Sequence, residues 1–307
     1  MIGVFDARLR GAIALLCAAA LYGSFGVMIR ILDTLFGENT QVVVRFAVAT
    51  TFLAGIILCW GNRSAITRVV REHLWRALGL AVAFSGEAIF FTISINRTTL
   101  ANTVFLSYAG AIVTSLTIAM LLFGERMTLA KAGAMVIALA GLAMYAGSLA
   151  AFSVGVLAGL TAGILDGIVN GLRKSLKGAD RSAVLMVQYG VGALVAMLIA
   201  LLVSERFIRT EAAGPPDIIG PLLVALVFGI SLVGIGYLLL YGFGHFELNS
   251  ATVLLTTEIG FAALFGYFFY GEVPSLTEAI GGFLVFSAAT VAVLARSEPP
   301  IPIKAAI

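Results

Sequence analysis

The chain contains an internal repeat, and this repeat constrains its fold more than any other feature of the sequence. Each copy has an asparagine followed 23 residues later by the second residue of a Gly-Glu pair; these residues are Asn102, Gly124 and Glu125 in the first copy and Asn249, Gly271 and Glu272 in the second. An earlier stretch also repeats, because aligning Gly11 with Gly155 superimposes a series of Ala, Leu and Gly residues. We therefore expect two copies of one structural unit, residues 1–150 and 151–307, within a single domain.

The composition shows which solvent surrounds this repeat. The chain is 61% hydrophobic and 11% charged, whereas soluble domains have roughly 45–50% and about 25%. Apolar stretches of about 20 residues, long enough to cross a bilayer as helices, recur along the chain. Ten such segments are predicted at residues 11–31, 41–60, 74–95, 100–123, 129–147, 154–172, 183–203, 218–242, 248–270 and 276–295. The predicted fold is an all-α integral membrane protein.

The distribution of basic residues predicts the orientation of these helices. Fourteen of the 19 Lys and Arg residues, including Arg173 and Lys174, fall towards one side of the membrane, and five, including Arg45, fall towards the other. The basic side is expected to be cytoplasmic. The protein is therefore predicted to lie in the inner membrane of a bacterial cell, with both termini in the cytoplasm. Five helices per repeat is an odd number, so the two halves are predicted to have inverted orientations.

Ten helices in an inverted five-plus-five repeat, with a Gly-Glu pair ending the fourth helix of each half, resemble the EamA-type drug/metabolite transporter superfamily. The resemblance implies a secondary transporter whose central cavity alternates its access between the two sides. Within the superfamily the chain is most similar to bacterial amino-acid exporters, including the aromatic-amino-acid type. The repeated Asn and Gly-Glu residues are interpreted as a structural or gating motif.

Two alternative functions remain open at this stage. One is a proton-coupled multidrug or cation exporter. The small four-helix multidrug relatives carry a carboxylate in their first helix, whereas the main polar groups of this first helix are Tyr22 and Ser24. The other alternative, from a different class, is a membrane sensor or assembly subunit that transports nothing.

Three carboxylates, those of Glu87, Asp166 and Glu258, are predicted near the middle of the membrane. A charge at that depth costs about 2.5 kcal/mol or more, so it is expected to face a cavity or a partner. Counted along the helices, no Lys or Arg lies at the same depth, which favours a cargo with an amino group and disfavours a phosphorylated sugar. The carboxylate of an amino acid would then have to bind to amide, hydroxyl or backbone donors, for which the candidates are Tyr108, Asn170, Thr256 and Thr257.

Other classes of function find little support in the sequence. An enzyme is not expected, because the chain has neither a P-loop nor an H-E-x-x-H motif. Two histidines and two cysteines provide little material for a metal site, so no metal or cofactor is expected. The net charge of +3 follows from the asymmetry of the loops and requires no nucleic acid. The expected partners are the lipid bilayer and a small molecule, and a monomer is compatible with all of these features.

Overall fold

The computed structural model describes residues 2–60, 63–98, 100–145, 153–209, 218–271, 273 and 275–295. Across these ranges the regular structure is helical, as expected for apolar segments that must satisfy every backbone group internally. The helices are α1 (Ile2–Gly23), α2 (Phe25–Asp33), α3 (Thr40–Trp60), α4 (Arg63–Arg97), α5 (Leu100–Phe123), α6 (Leu129–Tyr145), α7 (Val154–Ser175), α8 (Arg181–Leu202), α9 (Ile219–His245), α10 (Leu248–Leu255), α11 (Glu258–Tyr270) and α12 (Leu276–Leu294).

The lengths of the helices agree with the membrane prediction. In the described part of the chain, eight helical spans are long and apolar enough to cross a bilayer, and two shorter apolar helices, Leu129–Met144 and Ala279–Leu294, complete the ten predicted segments. The all-α membrane fold is therefore confirmed. The expected boundary between the repeats, between residues 150 and 151, lies outside the described residues, so the division into two units stays a prediction.

Two of the ten predicted helices are interrupted. The first consists of α1 and α2, which are separated at Ser24, and the ninth consists of α10 and α11, which are separated at Thr256 and Thr257. In addition, α4 begins eleven residues before the predicted segment and has a non-helical backbone at His73, with φ −133° and ψ 21°. No proline lies at any of these positions, which explains why the sequence pattern did not predict them.

The two halves of the chain interleave. Helix α7 of the second half packs against α4 and α5 of the first, α3 packs against α8 and α9, and α6 packs against α12. Helix α1 packs against α9 and α11. The middle of the bundle is therefore built by helices from both halves.

A stripe of glycines on α7, one every fourth residue from Gly155 to Gly171, makes the closest of these contacts possible. A Cβ atom added at Gly163 would lie 2.2 Å from the backbone oxygen of Ser107, and one added at Gly167 would lie 2.5 Å from the Cβ of Thr114. Small residues at this spacing allow helix backbones to approach closely. The stripe is thus a packing seam between α7 and α5.

The Gly-Glu motif has a clear local function at the end of α5. Gly124 has φ +61°, and its counterpart Gly271 at the end of α11 has φ +67°, a left-handed conformation that commonly terminates a helix and that glycine adopts without steric cost. After this turn the amide of Glu125 donates back to the carbonyl of Ala119 at 3.0 Å. The glycine therefore ends the helix and leaves the following glutamate free to reach a neighbouring element.

Candidate substrate-binding site

A cavity in the middle of the bundle contains four of the seven residues predicted to bind substrate. Glu87 on α4, Tyr108 on α5, Asp166 on α7 and Glu258 at the start of α11 all line it. Its empty volume is about 690 Å³, including the part open to the outside. The structure thus brings the three membrane carboxylates together, while their part in transport stays a prediction.

Two arginines also line the cavity, and this corrects the prediction that no basic residue lies at the depth of the acids. Arg45 is 3% exposed and Arg173 is 2% exposed, and both side chains reach the wall that holds Glu87, Asp166 and Glu258. The prediction was wrong because residue counting locates the Cα atom near a helix end, whereas long side chains can extend far from their backbone.

Arg45 is held by α4 and by aromatic rings. Its Nη2 donates to the carbonyl oxygen of Ala88 and to Oγ1 of Thr92, each at 3.2 Å. Its guanidinium carbon lies 4.8 Å from the ring centroid of Phe228, close enough for a cation–π interaction. These contacts fix the orientation of the guanidinium without neutralising its charge.

Arg173 belongs instead to a chain of polar side chains on α7. Its Nη1 donates to Oδ1 of Asn170 at 3.0 Å, and Nδ2 of Asn170 donates to Oδ2 of Asp166 at 3.0 Å. Asn170 is fully buried and does not line the cavity. It acts from behind the wall, where its amide links the guanidinium of Arg173 to the carboxylate of Asp166.

Glu258 lies where the ninth membrane span is broken. It is the first residue of α11, and its carboxylate accepts a hydrogen bond from the hydroxyl of Tyr108. The hydroxyls of Thr256 and Thr257 donate to the carbonyl oxygens of Val253 and Leu254, each at 2.7 Å. These two threonines are fully buried and do not line the cavity, so the structure places them at the helix break and not against a cargo.

Aromatic rings form much of the remaining wall. Phe46 and Phe84 stack with their centroids 5.2 Å apart and their planes at 12°, and Phe25 and Phe228 lie 4.2 Å apart. Phe91 and Tyr22 line the same space. The cavity therefore combines charges of both signs with flat apolar surfaces.

Several positions that the predicted repeat pairs with each other line this cavity together. The offset of 144 that aligns Gly11 with Gly155 pairs Tyr22 with Asp166 (22 + 144 = 166) and Ile29 with Arg173 (29 + 144 = 173). The offset of 147 that aligns Asn102 with Asn249 pairs Tyr108 with Leu255 (108 + 147 = 255). All six residues line the cavity. Both halves of the chain therefore contribute to the cavity wall, as a site between two predicted repeats would require.

Glu125, in the first copy of the Gly-Glu motif, contacts two other helices outside the cavity. The Glu125 carboxylate accepts a hydrogen bond from the Lys174 ammonium at 2.7 Å, and its two oxygens accept backbone N–H groups of Leu248 at 2.8 Å and Asn249 at 3.4 Å. Lys174 also donates to the carbonyl of Phe246 at 2.9 Å. The ends of α5 and α7 are thereby fastened to the beginning of α10; we call these contacts the Glu125 clasp.

A neighbouring ion pair strengthens the same end of the bundle. Lys131 at the beginning of α6 lies 2.9 Å from the Glu247 carboxylate, and the lysine side chain is 1% exposed.

In the second copy of the Gly-Glu motif, Glu272 lies outside the described residues. The two repeated asparagines, Asn102 and Asn249, are buried in the first turns of α5 and α10. The gating role of these residues stays a prediction.

Comparison with known proteins defines the class. Residues 153–294 match the model of the EamA-like transporter family. The second half of the chain is therefore an EamA-like transporter domain, and the resemblance to the drug/metabolite transporter superfamily is confirmed. The chain is a multi-pass membrane protein by its apolar helices, and the family matched by its second half is one of transporters.

A solved structure shares the overall fold. The structure, titled "Crystal structure of protein", has 17% sequence identity and a TM-score of 0.72, with 94% of this chain and 97% of that chain covered. At this identity the similarity concerns the fold alone. A comparison with curated proteins found no match.

Proposed function

We propose that the protein exports amino acids, with a preference for bulky or aromatic side chains, by alternating access across the bacterial inner membrane without ATP hydrolysis. The observation that carries this proposal is the presence of both carboxylates and guanidinium groups on one cavity wall. Glu87, Asp166 and Glu258 suit an ammonium group, while a guanidinium group on the same wall suits a carboxylate. An α-amino acid carries both groups, so it can satisfy both sets of charges at once.

The two arginines change the argument about the anionic part of the cargo. Of the amide and hydroxyl donors predicted for the substrate carboxylate, only Tyr108 lines the cavity. Guanidinium groups are stronger partners because their hydrogen bonds to carboxylates are charge-assisted and often bidentate. Because the cavity does contain buried cations, a phosphorylated sugar can no longer be disfavoured for lack of them. The remaining argument is repulsion, since three carboxylates on the same wall would face a phosphate dianion.

The aromatic part of the wall supports the preference for bulky side chains. Phe25, Phe46, Phe84 and Phe228 form two ring pairs beside the charged groups. Aromatic pairs add about 0.5–1.5 kcal/mol beyond the burial of their area, so an aromatic side chain would gain more from this wall than a small aliphatic one.

Counterflow into proteoliposomes containing the purified full-length protein tests the proposal. Liposomes preloaded with unlabelled phenylalanine should accumulate labelled phenylalanine, tyrosine or tryptophan faster than alanine or glycine, and protein-free liposomes should accumulate none. Movement of tetraphenylphosphonium without movement of any amino acid would favour the proton-coupled multidrug alternative. Lack of movement of every compound in protein shown to be folded would favour the sensor or assembly subunit.

A further inference from the structure

We infer that Arg45 is the residue that binds the carboxylate of the cargo and so distinguishes an amino acid from an amine of the same shape. The inference rests on the proposed function and makes it more specific. It depends on how the two cavity arginines differ in their existing partners, because both are buried and both line the same space.

The polar partners of Arg45 are uncharged. Its hydrogen bonds go to a backbone carbonyl and a threonine hydroxyl, both on α4. Its Nε is buried and has no hydrogen-bond partner among the described residues, and no carboxylate in the described part of the chain lies within 4.0 Å of its guanidinium. Truly orphaned polar groups at such depth are rare, because an unsatisfied buried donor costs about 1–3 kcal/mol, and more when it is charged. Arg45 is therefore ready to accept an anion.

Arg173 is already occupied. Asn170 accepts a hydrogen bond from Nη1 of Arg173 and donates another to Asp166. Its guanidinium carbon also lies 5.3 Å from the ring centroid of Phe84. We therefore assign Arg173 as a positioning residue that holds Asp166, and it serves as a matched control for Arg45: the two residues have the same side chain, similar burial and the same cavity.

The surroundings of Arg45 also suit the rest of the cargo. The rings of Phe228 and Phe46 lie 4.8 and 6.0 Å from its guanidinium carbon. A carboxylate held at Arg45 would leave the side chain of the cargo beside these rings. The ammonium group would then be available to the carboxylates that line the same cavity.

A comparison of phenylalanine with phenethylamine tests this assignment, because the amine has the same ring and ammonium group but lacks the carboxylate. In proteoliposomes the wild-type protein should prefer phenylalanine. Arg45→Gln should reduce phenylalanine flux by at least about tenfold, since hydrogen bonds to charged groups contribute about 1.5–3 kcal/mol, and phenethylamine flux should change by less than about twofold. Arg173→Gln should reduce both fluxes together, because Asp166 loses its support.

Arg45→Lys provides a second readout if the glutamine variant folds poorly. Lysine retains the charge but lacks the planar, bidentate donor geometry of arginine, so its ratio of phenylalanine to phenethylamine flux should lie between those of wild type and Arg45→Gln. Size-exclusion elution in detergent verifies folding of each variant. Competition by 3-phenylpropionate, which has the carboxylate without the amine, should inhibit the wild type more than either Arg45 variant.

The outcomes separate the two proposals. If wild-type protein moves phenylalanine and the Arg45 variants keep the wild-type ratio of phenylalanine to phenethylamine, the assignment of Arg45 is wrong and the proposed function stands. Equal wild-type rates for phenylalanine and phenethylamine would likewise overturn the assignment. If the folded wild-type protein moves no amino acid, both proposals fail.

Discussion

Two helix pairs that occupy equivalent places in the repeat have different structures. The first predicted helix corresponds to the sixth, and the fourth corresponds to the ninth. Helices α5 and α7, which form the fourth and sixth, run without interruption, whereas the first is divided into α1 and α2 and the ninth into α10 and α11. We call α5 and α7 the straight pair, and α1, α2, α10 and α11 the broken pair.

Side-chain hydroxyl groups bond to the backbone at the positions where the broken pair is interrupted. Ser24 donates to the carbonyl of Leu21 at 2.7 Å, and Thr256 and Thr257 make the same kind of bond to carbonyls three residues earlier. Such bonds compete with the backbone hydrogen bonds of a helix. The equivalent positions in the straight pair, Ile168, Ala109 and Gly110, carry no hydroxyl, so the backbone ladder has no local competitor there.

Close packing also holds the straight pair in its form. The glycine stripe of α7 lies against the backbone of α5, and the Glu125 clasp joins the ends of both helices to α10. A duplicated sequence can thus produce one rigid pair and one interrupted pair around the same cavity. Discontinuous helices near the binding site also occur in many transporter folds.

The largest effect is expected from filling the seam of the straight pair. Gly163→Val would place side-chain atoms where a backbone oxygen of α5 already lies 2.2 Å from the position of a Cβ. Overpacking typically costs about 1–3 kcal/mol, and a rigid backbone neighbour places this variant at or above the upper value. We expect a clear loss of thermal stability in detergent. Gly55→Val is the matched control, because nothing lies within 4 Å of a Cβ at that position; equal losses would contradict the seam.

Removal of the clasp should have the next largest effect. Glu125→Ala leaves Lys174 and two backbone N–H groups of α10 without their carboxylate. Breaking a buried ion pair costs about 3–5 kcal/mol, and we expect about 2–3 kcal/mol here because the Lys174 side chain is 17% exposed. Labelling of a cysteine at Ser250, which is buried on α10, should become faster.

The control for the clasp is the ion pair between Glu38 and Arg97, whose nitrogen and oxygen are 3.4 Å apart and whose arginine is 51% exposed. Exposed pairs contribute about 0–1 kcal/mol, so Glu38→Ala should change the melting temperature little and leave labelling at position 250 unaltered. Cys17 and Cys59 are exposed and are replaced by alanine in the background. Unchanged labelling in Glu125→Ala would show that the clasp does not close this end of the bundle.

The smallest effect on stability is expected at the break itself. The double variant Thr256→Ala and Thr257→Ala removes the hydroxyls that compete with the backbone of the ninth span. Each of the two lost hydrogen bonds contributes about 0.5–1.5 kcal/mol, and backbone bonds that replace them offset part of this, so stability should fall by about 1 kcal/mol. Counterflow should fall several-fold as the broken pair becomes more like the straight one. Thr290→Ala on the uninterrupted α12, whose hydroxyl donates to Phe286 at 2.9 Å, should leave counterflow unchanged.

The helices and the seam could be predicted because they depend on simple spacing. Apolar stretches of about 20 residues predict membrane helices, and a glycine at every fourth position predicts a smooth helix face. The depth of Glu87, Asp166 and Glu258 was sufficient to place them at one cavity, since each is far from both ends of its predicted span. These inferences need no knowledge of side-chain conformation.

The arginines and the threonines could not be placed in this way. Arg45 is five residues after the beginning of α3, and Arg173 is two residues before the end of α7, so both were assigned to the membrane surfaces. Their guanidinium groups enter the cavity because acceptors on α4 and α7 hold them there. Thr256 and Thr257 directly precede Glu258 and were expected to contact the cargo, but at the helix break their hydroxyls donate to their own backbone.

Neutralising the cavity carboxylates tests the central claim, that these groups bind the ammonium of an amino acid, most directly. Glu258→Gln and Asp166→Asn keep the side-chain volume and hydrogen-bonding capacity but remove the charge. In proteoliposomes we expect each variant to move labelled phenylalanine at least about tenfold more slowly than wild type, since a charge-assisted hydrogen bond contributes about 1.5–3 kcal/mol, with elution from size exclusion unchanged. Normal phenylalanine flux in both variants would show that the carboxylates are structural and would contradict the account.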